Sequence, residues 1–478
     1  MKSILFALFL SLTAVTYAQT PCTGNTANGF PCENFNLQSR ITPGQMDASF
    51  ANDSWGWIDP VNGKEYALIG LNNGTAFIDI SDPVNPVYVG KLPTHNGFID
   101  GGQVWRDLKV YNNHVFVVSE IDNHGMQVFD LTRLRDATNV PEVFTEDAHF
   151  DGFGSAHNIV INEETGFAYG VGATTFSGGI HFVNIQDPTN PISAGGYAAD
   201  GYTHDAQVLI YDGPDTDHTG KEIFIGSNGD FGPDNKIVVI DVSDKNNPQT
   251  ISEMAYPNMS YAHQGWFTED KNYFLLGDEI DEQDSGFNTR TIIFDVSDLD
   301  NPAVYFEYFG TTAAIDHNGY VVDNKFYMAA YNAGLRVLDI SDIANQNISE
   351  YGYFDTFPDN NQAGFSGAWN VYPFFPSRNI VISGDAGFTL VLDPTELSVT
   401  EQQTGAFAIF PNPAKDTFTV TSSKTPITKV EIFNLLGQQV YQTEVANQTS
   451  TQIAINNLTT GMYMVKVNNS TSQKLIVK

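Results

Sequence analysis

Four of the ten histidines stand at the same point of a repeated pattern, each directly before an amide or carboxylate residue. The pairs are His157-Asn158, His204-Asp205, His263-Gln264 and His317-Asn318, and the corresponding positions of other repeats hold Trp55-Gly56, Arg106-Asp107 and Trp369-Asn370. Neutral imidazoles that converge on one point are good ligands for Zn, Cu, Ni or Fe. Neighbouring amides and carboxylates can fix the imidazole tautomers. This register therefore marks a candidate transition-metal site.

Two other interpretations of these residues stay open. Each histidine pair can instead tie one repeat to the next by hydrogen bonds. Arg106 never coordinates a metal and repels a cation, so together with imidazole donors it favours an anionic ligand. The candidate ligand or metal residues are His157, His204, His263, His317, Arg106, Asp107 and Asp205.

Two acidic loops are candidates for calcium. Asp212, Asp215 and Asp217 are spaced somewhat like a calcium loop, although the EF-hand pattern is not met. The second loop is denser and contains Asp278, Asp281 and Asp284. An ordinary solvated loop is the alternative for both. The sequence leaves the cofactor open, and the candidate is a divalent metal, either a transition metal at the histidines or calcium in these loops.

The sequence assigns no catalytic residue. It contains no Gly-x-Ser-x-Gly elbow, no His-Glu-x-x-His and no phosphate loop. Carboxylate pairs for glycoside hydrolysis are defined by a separation in space that a sequence does not give.

The elements that position the histidines come from a repeat. The segment Phe77–Pro83 reads FIDISDP, a β-prone run followed by residues that favour a turn. Its aspartate or equivalent recurs at positions 79, 130, 184, 241, 295, 339 and 393, at intervals of 44 to 57 residues. Several strands per unit at this period are typical of a β-propeller. We predict an all-β fold, with a seven-bladed propeller over residues 51–396 and the segment before Ser54 completing the last blade.

Strand order then locates the candidate site. The innermost strand of a propeller blade lines the central channel, and the histidine positions lie at the start of each predicted first strand. We therefore expect these side chains to gather at one mouth of the channel. In the second blade, the predicted strands are Leu108–Tyr111, His114–Ser119, Gly125–Asp130 and Glu142–Thr145.

The N-terminus has the features of a secretory signal peptide over residues 1–18: Lys2, a short apolar run and a small-residue ending. The apolar run is too short to span a membrane, and no later stretch is long enough. In an exported protein, Cys22 and Cys32 favour a disulfide within the N-terminal segment, residues 19–50.

The net charge of the chain indicates which classes of partner it can bind. The net charge is −34, residues 401–478 carry +2, and the first 400 residues therefore carry about −36. Nucleic acid and anionic membranes need clustered Lys and Arg, so this acidic surface argues against both as partners. The acidic surface is compatible with divalent cations or with simple solvation.

The C-terminal part is a separate module. A polar linker, residues 397–406, precedes a predicted small β-sandwich over residues 407–478. Its motifs are FPNP at 410–413, IFNLLGQ at 432–438, LTTGMY at 458–463 and KLIVK at 474–478. These motifs closely resemble the type A C-terminal sorting domain of the Bacteroidota type IX secretion system. The resemblance implies contact with that machinery, export across the outer membrane, and release or cell-surface attachment.

The propeller region also resembles a known family. The repeated phrase is similar to the LVIVD repeat, and residues 35–395 resemble the choice-of-anchor B family. Matching segments are WRD at 105–107, HGMQVFD at 124–130, AHN at 156–158, THDAQ at 203–207, AHQG at 262–265 and GLRVLD at 334–339. The resemblance implies an exported β domain with a variable anchoring or sorting tail, and brings no established activity.

Three functional hypotheses follow. The leading one is an exported propeller that binds a protein or glycan without catalysis of its own. The second is a metal-dependent oxidase or hydrolase that uses the histidines at the channel mouth. The third is a calcium-stabilised structural surface protein that uses the acidic loops.

Overall fold

The computed structural model describes residues 19–97, 105–232, 235–394, 407–410, 414–422, 426–434, 439–459, 461–468 and 472–477. The chain divides into two compact units, Met1–Pro394 and Thr395–Lys478. The predicted signal peptide, residues 1–18, and the predicted linker, residues 397–406, lie outside the described residues.

Within its described residues, the first unit contains seven sheets, which we number as blades 1 to 7. Blade 1 has the strands Ala51–Ile58, Glu65–Leu71, Gly74–Asp79 and Val87–Pro93; blade 2 has Arg106–Tyr111, His114–Ser119, Met126–Asp130 and Ala148–Phe150. Blade 3 has Asn158–Asn162, Phe167–Val171, Ile180–Asn184 and Ile192–Tyr197; blade 4 has Asp205–Ile210, Glu222–Asn228, Lys236–Asp241 and Gln249–Met254. Blade 5 has Ala262–Phe267, Tyr273–Asp278, Arg290–Asp295 and Ala303–Phe309; blade 6 has Asp316–Val322, Lys325–Ala330, Gly334–Asp342 and Asn347–Phe354. Blade 7 has Ala368–Tyr372, Asn379–Gly384, Gly387–Leu392 and, from the N-terminal segment, Asn36–Ile41.

The seven blades form a closed ring. The first strand of each blade contacts the first strand of the next, and that of blade 7 contacts that of blade 1. At this junction, Asn370 Nδ2 donates to the Ser54 carbonyl oxygen at 2.6 Å, and the Ser383 and Ser54 hydroxyls lie 2.9 Å apart. The all-β propeller prediction is confirmed.

The N-terminal segment belongs to the last two blades. Asn36–Ile41 pairs antiparallel with Gly387–Leu392 and so supplies the outer strand of blade 7. Thr26–Ala27 and Phe30–Glu33 extend blade 6, where Cys32 pairs with Phe354. Cys22 and Cys32 are joined by a disulfide in the same segment.

Packing between blades explains the composition of the middle strands. A blade of the ring presses both faces against neighbours, so its inner strands are continuous apolar runs rather than alternating ones. Leu68, Ile69 and Phe77 of blade 1 are all fully buried, although adjacent residues point to opposite faces.

The repeated phrase forms the same turn in blade after blade. Asp241 Oδ1 accepts a hydrogen bond from the backbone N–H of Ser243 at 3.0 Å, and Asp339 accepts from Ser341 at 2.9 Å. In blade 3, Asn184 makes this contact with the Gln186 N–H at 3.0 Å. Such turns end the third strand of a blade and reverse the chain toward the fourth.

Blade 2 differs from its predicted strand order. Its outer strand is Ala148–Phe150, whereas Glu142–Val143 pairs in parallel with Gly90 and Lys91 of blade 1. Gly90 permits this approach, because a Cβ atom there would lie 2.2 Å from the Glu142 carbonyl oxygen.

Helical segments are short in the described chain. They are the 3-10 helices Pro43–Met46, Leu131–Asp136, Phe176–Gly178, Tyr331–Ala333 and Ile343–Asn345, and the α-helix Asp281–Ser285.

The second unit is a small β-sandwich. One sheet contains Phe407–Phe410, Thr417–Ser422 and Ser450–Ala454, and the other contains Gln439–Gln448, Ile427–Phe433, Gly461–Val467 and Ser472–Val477. Residues of both sheets, such as Phe418, Ile432, Ile453 and Val465, form one buried core.

Candidate functional site

A row of seven rings, one from each blade, lies at one mouth of the channel. Its imidazoles follow one another at centroid distances of 4.2 Å between His157 and His204, 4.3 Å between His204 and His263, and 4.2 Å between His263 and His317. The row continues through Trp369, Trp105 and Phe50, at 4.5, 4.7 and 5.8 Å. The structure therefore brings the four predicted histidines together.

Local backbone geometry aims these rings. His263 and Trp369 are extra residues in β-bulges, because Ala262 and Gln264 pair with the consecutive residues Asp278 and Gly277, and blade 7 repeats this pattern. A bulge turns one side chain out of the normal alternation and is frequent next to functional sites. His157 and His204 instead stand just before their strands and hold them by backbone N–H bonds to Val171 and Ser227.

The sequence predicts Arg106 and Trp55 in line with the histidines, but the structure places neither of them in the row of rings. Trp105 holds the ring position of blade 2, one residue before Arg106. The Arg106 guanidinium turns away, donates from Nε to the Leu71 carbonyl oxygen at 2.7 Å and reaches His124 at 3.1 Å. Burial lowers the pKa of Arg106 to about 9.

The predicted aspartates lie deeper in the channel than the histidines. Asp107 accepts from the Ile159 N–H at 2.7 Å and from Lys109 Nζ at 2.5 Å. Burial and the nearby Asp107 raise the pKa of Asp205 to about 7. These carboxylates stand with Lys109 and Asp53, whose side chains lie 3.9 Å apart.

Two carboxylates that the sequence did not place at the histidines face the histidine row. Glu120 lies 2.6 Å from His157 Nδ1, and Glu279 lies 3.7 Å from Nε2 of both His263 and His317. Each glutamate directly follows the second strand of its blade, which runs back to the mouth where the first strand began. That shared position is the sequence signal that would have found them.

The electrostatics divide the row. Burial and neighbouring imidazoles lower the pKa of His204, His263 and His317 well below the usual value. Burial acts to lower the pKa of His157, but the hydrogen bond to Glu120 and the charges of the nearby carboxylates together outweigh burial and raise the pKa. Burial raises the pKa of Glu279 to about 7, against the hydrogen bond from the Tyr331 hydroxyl. The row thus contains three imidazoles that are held in the neutral form and one, His157, whose protonated form is favoured by Glu120.

These groups form the floor of a cavity of about 470 Å³. Its wall and rim contain the aromatic residues Phe50, Trp105, Tyr202, Phe231, Tyr261, Tyr331, Phe365 and Trp369. Phe231 and Phe365 are 84% and 52% exposed, which is unusual for phenylalanine. A second cavity of about 360 Å³ includes Trp55, Trp266, Tyr320 and Phe374, with Lys109 among its lining residues.

The first predicted calcium loop is partly engaged by protein groups. Asp215 accepts from the backbone N–H groups of Asp217 and Leu299, and Asp212 pairs with Lys271 at 3.0 Å. Asp217 is exposed. A different trio, Asp215, His218 and Asp300, has donor atoms within 4.8 Å of one another.

The second predicted calcium loop does not converge. Both Asp278 oxygens accept hydrogen bonds, from the Tyr256 hydroxyl and from the N–H groups of Ser260 and Tyr261. Asp281 pairs with the buried Arg290, and Asp284 points outward as an exposed residue.

Fold and site together define a β-propeller whose mouth is lined by aromatic residues and histidines, and a separate β-sandwich unit follows in the chain. Residues 408–478 match the secretion system C-terminal sorting domain, and residues 61–94, 232–255 and 320–356 match the LVIVD repeat. Both resemblances are confirmed, whereas the choice-of-anchor B assignment stays a prediction. The sorting domain indicates type IX secretion across the outer membrane to the cell surface or extracellular space, and implies contact with that machinery. None of the helices in the described residues is long and apolar enough to cross a membrane.

Similar proteins extend the comparison. An ulvan lyase from Nonlabens ulvanivorans is 40% identical over 77 residues, which span 16% of this chain and 14% of the lyase. PorZ, a surface component of the type IX secretion system of Porphyromonas gingivalis, is 14% identical with a TM-score of 0.47, over 91% of this chain and 60% of PorZ. Saccharomyces cerevisiae Sqt1 is 8% identical with a TM-score of 0.48, over 74% of this chain and 98% of Sqt1. A Lactobacillus plantarum protein is 11% identical with a TM-score of 0.45, over 80% and 95% of the two chains.

Proposed function

We propose that this exported propeller is a binding module whose ligand, a glycan, enters the mouth cavity. The observation that carries the proposal is one concave site that combines exposed aromatic rings at its rim with imidazoles and carboxylates at its floor. Ligand sites are typically apolar and aromatic walls with a few converging polar groups.

The chemistry of the site favours a sugar over a flat protein surface. A sugar ring offers C–H groups that pack on aromatic faces and hydroxyl groups that donate to carboxylates and imidazoles. Glu120 and Glu279 supply acceptors, and Phe231 and Phe365 supply faces that lie open to solvent. A cavity of about 470 Å³ suits a short oligosaccharide better than the broad surface of a partner protein.

Binding of the full chain to an oligosaccharide array tests the proposal. Phe231→Ala and Phe365→Ala should each weaken binding of the best oligosaccharide at least tenfold, since burying an aromatic side chain contributes about 1.5–3 kcal/mol. Phe309→Ala is the matched control, because Phe309 is 44% exposed and is not part of the cavity lining. Equal binding by the wild type and both rim variants would reject the mouth as the site.

A metal-dependent oxidase or hydrolase is the second candidate. The observation favouring it is the cluster of His204, His263 and Glu279, whose donor atoms lie within 4.8 Å of one another.

A further inference from the structure

We propose that His204, His263 and Glu279 bind one divalent first-row transition-metal ion, with an open coordination position facing the mouth cavity. The inference rests on the proposed function in one respect, because the ion would form part of the floor that meets the ligand. Two imidazoles and one carboxylate are the ligand set of open, three-residue zinc sites.

Distances within the cluster fit a shared ion. His263 Nε2 lies 3.7 Å from Glu279 Oε2, which is too far for a hydrogen bond. Ligand atoms around a tetrahedral ion with bonds of about 2.1 Å stand roughly 3.4 Å apart. The His263–Glu279 pair therefore needs to close by only a few tenths of an ångström, and all three donor atoms lie within 4.8 Å of one another.

His263 Nε2, the atom that faces Glu279, has no hydrogen-bond partner among the described residues. The His263 side chain is 1% exposed, and the His317 backbone acts on the ring as a hydrogen-bond partner, which leaves Nε2 as the unsatisfied nitrogen. A buried polar group without a partner is costly, and buried side chains of this kind are normally bonded. A metal ion at Nε2 supplies the missing interaction.

Backbone carbonyls set the neighbouring tautomers for metal binding. His204 Nδ1 lies 3.3 Å from the His263 carbonyl oxygen, and His317 Nδ1 lies 2.6 Å from that of Trp369. A proton on Nδ1 that is donated to a carbonyl leaves the Nε2 lone pair free, which is the usual arrangement of metal-bound histidine.

The surrounding charges are also suitable. Arg106, which argued against a cation, points away from the row toward Leu71 and His124. The Tyr331 hydroxyl donates to Glu279 Oε1 at 2.8 Å and so orients the carboxylate, with Oε2 turned to His263. His157 is engaged by Glu120, which leaves it outside the ligand set.

Metal content measured on the full chain tests the site. The protein is stripped with EDTA, incubated with ZnCl₂, desalted and analysed by mass spectrometry for zinc per chain. We expect one zinc per chain in the wild type. Glu279→Gln and His263→Gln should each weaken zinc binding by more than about 100-fold, because changes to outer partners alone cost about 10–100-fold.

Two variants serve as matched controls. His181→Gln removes another buried imidazole, whose nitrogens are already bonded to Thr175 and Ser193, and should leave zinc binding unchanged. His218→Gln removes the other candidate trio and should also leave it unchanged. Zinc absent from the wild type, retained by Glu279→Gln, or lost with His218→Gln would overturn the proposal.

Further measurements distinguish a loss of metal binding from misfolding and from a loss of oligosaccharide binding. Glu279→Gln keeps a side chain that accepts from Tyr331, so it decides the outcome if His263→Gln fails to fold. Co²⁺ in place of Zn²⁺ should give the strong visible absorption of a four-coordinate site in the wild type and not in Glu279→Gln. Oligosaccharide binding measured in EDTA shows whether the mouth still takes its ligand, so the two proposals can fail independently.

Discussion

Nη1 of Arg106 donates a hydrogen bond to Nε2 of His124 at 3.1 Å, and both side chains are buried. His124 Nδ1 faces the Gly125 carbonyl oxygen at 3.0 Å, so the neutral ring already uses its single proton. A second proton on Nε2 would point at the guanidinium. Burial and Arg106 accordingly lower the pKa of His124 to about 3.

We expect His124 to make the fold sensitive to acid. Between its ordinary pKa of 6.5 and about 3, the unfolded chain binds a proton that the folded chain does not. Stability should therefore fall as the pH drops through this window, by up to about 1.4 kcal/mol per pH unit. Urea unfolding between pH 4 and 8 should show a shallower fall for His124→Gln than for the wild type. His114→Gln, in the same blade, should keep the wild-type slope, and identical slopes for all three proteins would contradict the assignment.

We expect Lys109 to stabilise the fold by neutralising the buried carboxylates in the channel. Its ammonium group lies 2.5 Å from Asp107, 3.9 Å from Asp53 and 4.6 Å from the centre of the Trp55 ring. Lys109→Met leaves two buried carboxylates without this cation, so we expect a loss of about 3–5 kcal/mol in the free energy of unfolding. Lys64→Met, which breaks an exposed pair with Asp79, should cost about 0–1 kcal/mol in the same denaturation experiment.

The turn aspartates should need their oxygen and not their charge. Asp241→Ala removes the acceptor for the Ser243 N–H and should cost about 1 kcal/mol. Asp241→Asn keeps the Oδ1 acceptor and should be within about 0.5 kcal/mol of the wild type. Thermal and urea unfolding of the two variants measures the difference, and equal losses would show that charge matters there.

Closure of the ring should depend on Asn370. Asn370→Ala removes partners of both the Ser54 carbonyl oxygen and the Tyr320 hydroxyl, which are buried. We expect a loss of about 1–3 kcal/mol in the free energy of unfolding. Asn85→Ala, which breaks only an exposed turn contact with Asp82, should change it by less than about 0.5 kcal/mol. Comparable losses in the two variants would argue against a special role for the junction.

The repeat made the propeller predictable, because turn residues recur at fixed places and hydrophobic runs must be buried between neighbours. The four histidines could be placed at one mouth for the same reason. The residues that hold the ring positions of blades 1 and 2 could not be predicted from the repeat, since Phe50 and Trp105 take the places expected for Trp55 and Arg106. Bulges insert residues into the first strands of some blades and not others, so a constant spacing between repeats gives the wrong residue there.

Glu279 illustrates a different limit. In the sequence it belongs to a dense acidic run, and composition alone does not distinguish the residue that faces the histidines from those that face Arg290 or solvent. Only the path of the second strand, which ends at the mouth, separates them. Side-chain direction at strand ends is set by tertiary pairing rather than by local composition.

The outer strand of blade 7 comes from the N-terminal segment, whereas the other three strands of this blade come from the end of the propeller sequence. Arg40 Nε donates to Thr389 Oγ1, a residue 349 positions later in the chain. Blade 7 therefore lacks its outer strand until Asn36–Ile41 pairs with it, and the edge of Gly387–Leu392 is unpaired until then. A truncated chain that lacks Gly387–Leu392 has no partner strand for Asn36–Ile41, so only a chain that extends through blade 7 can close the ring.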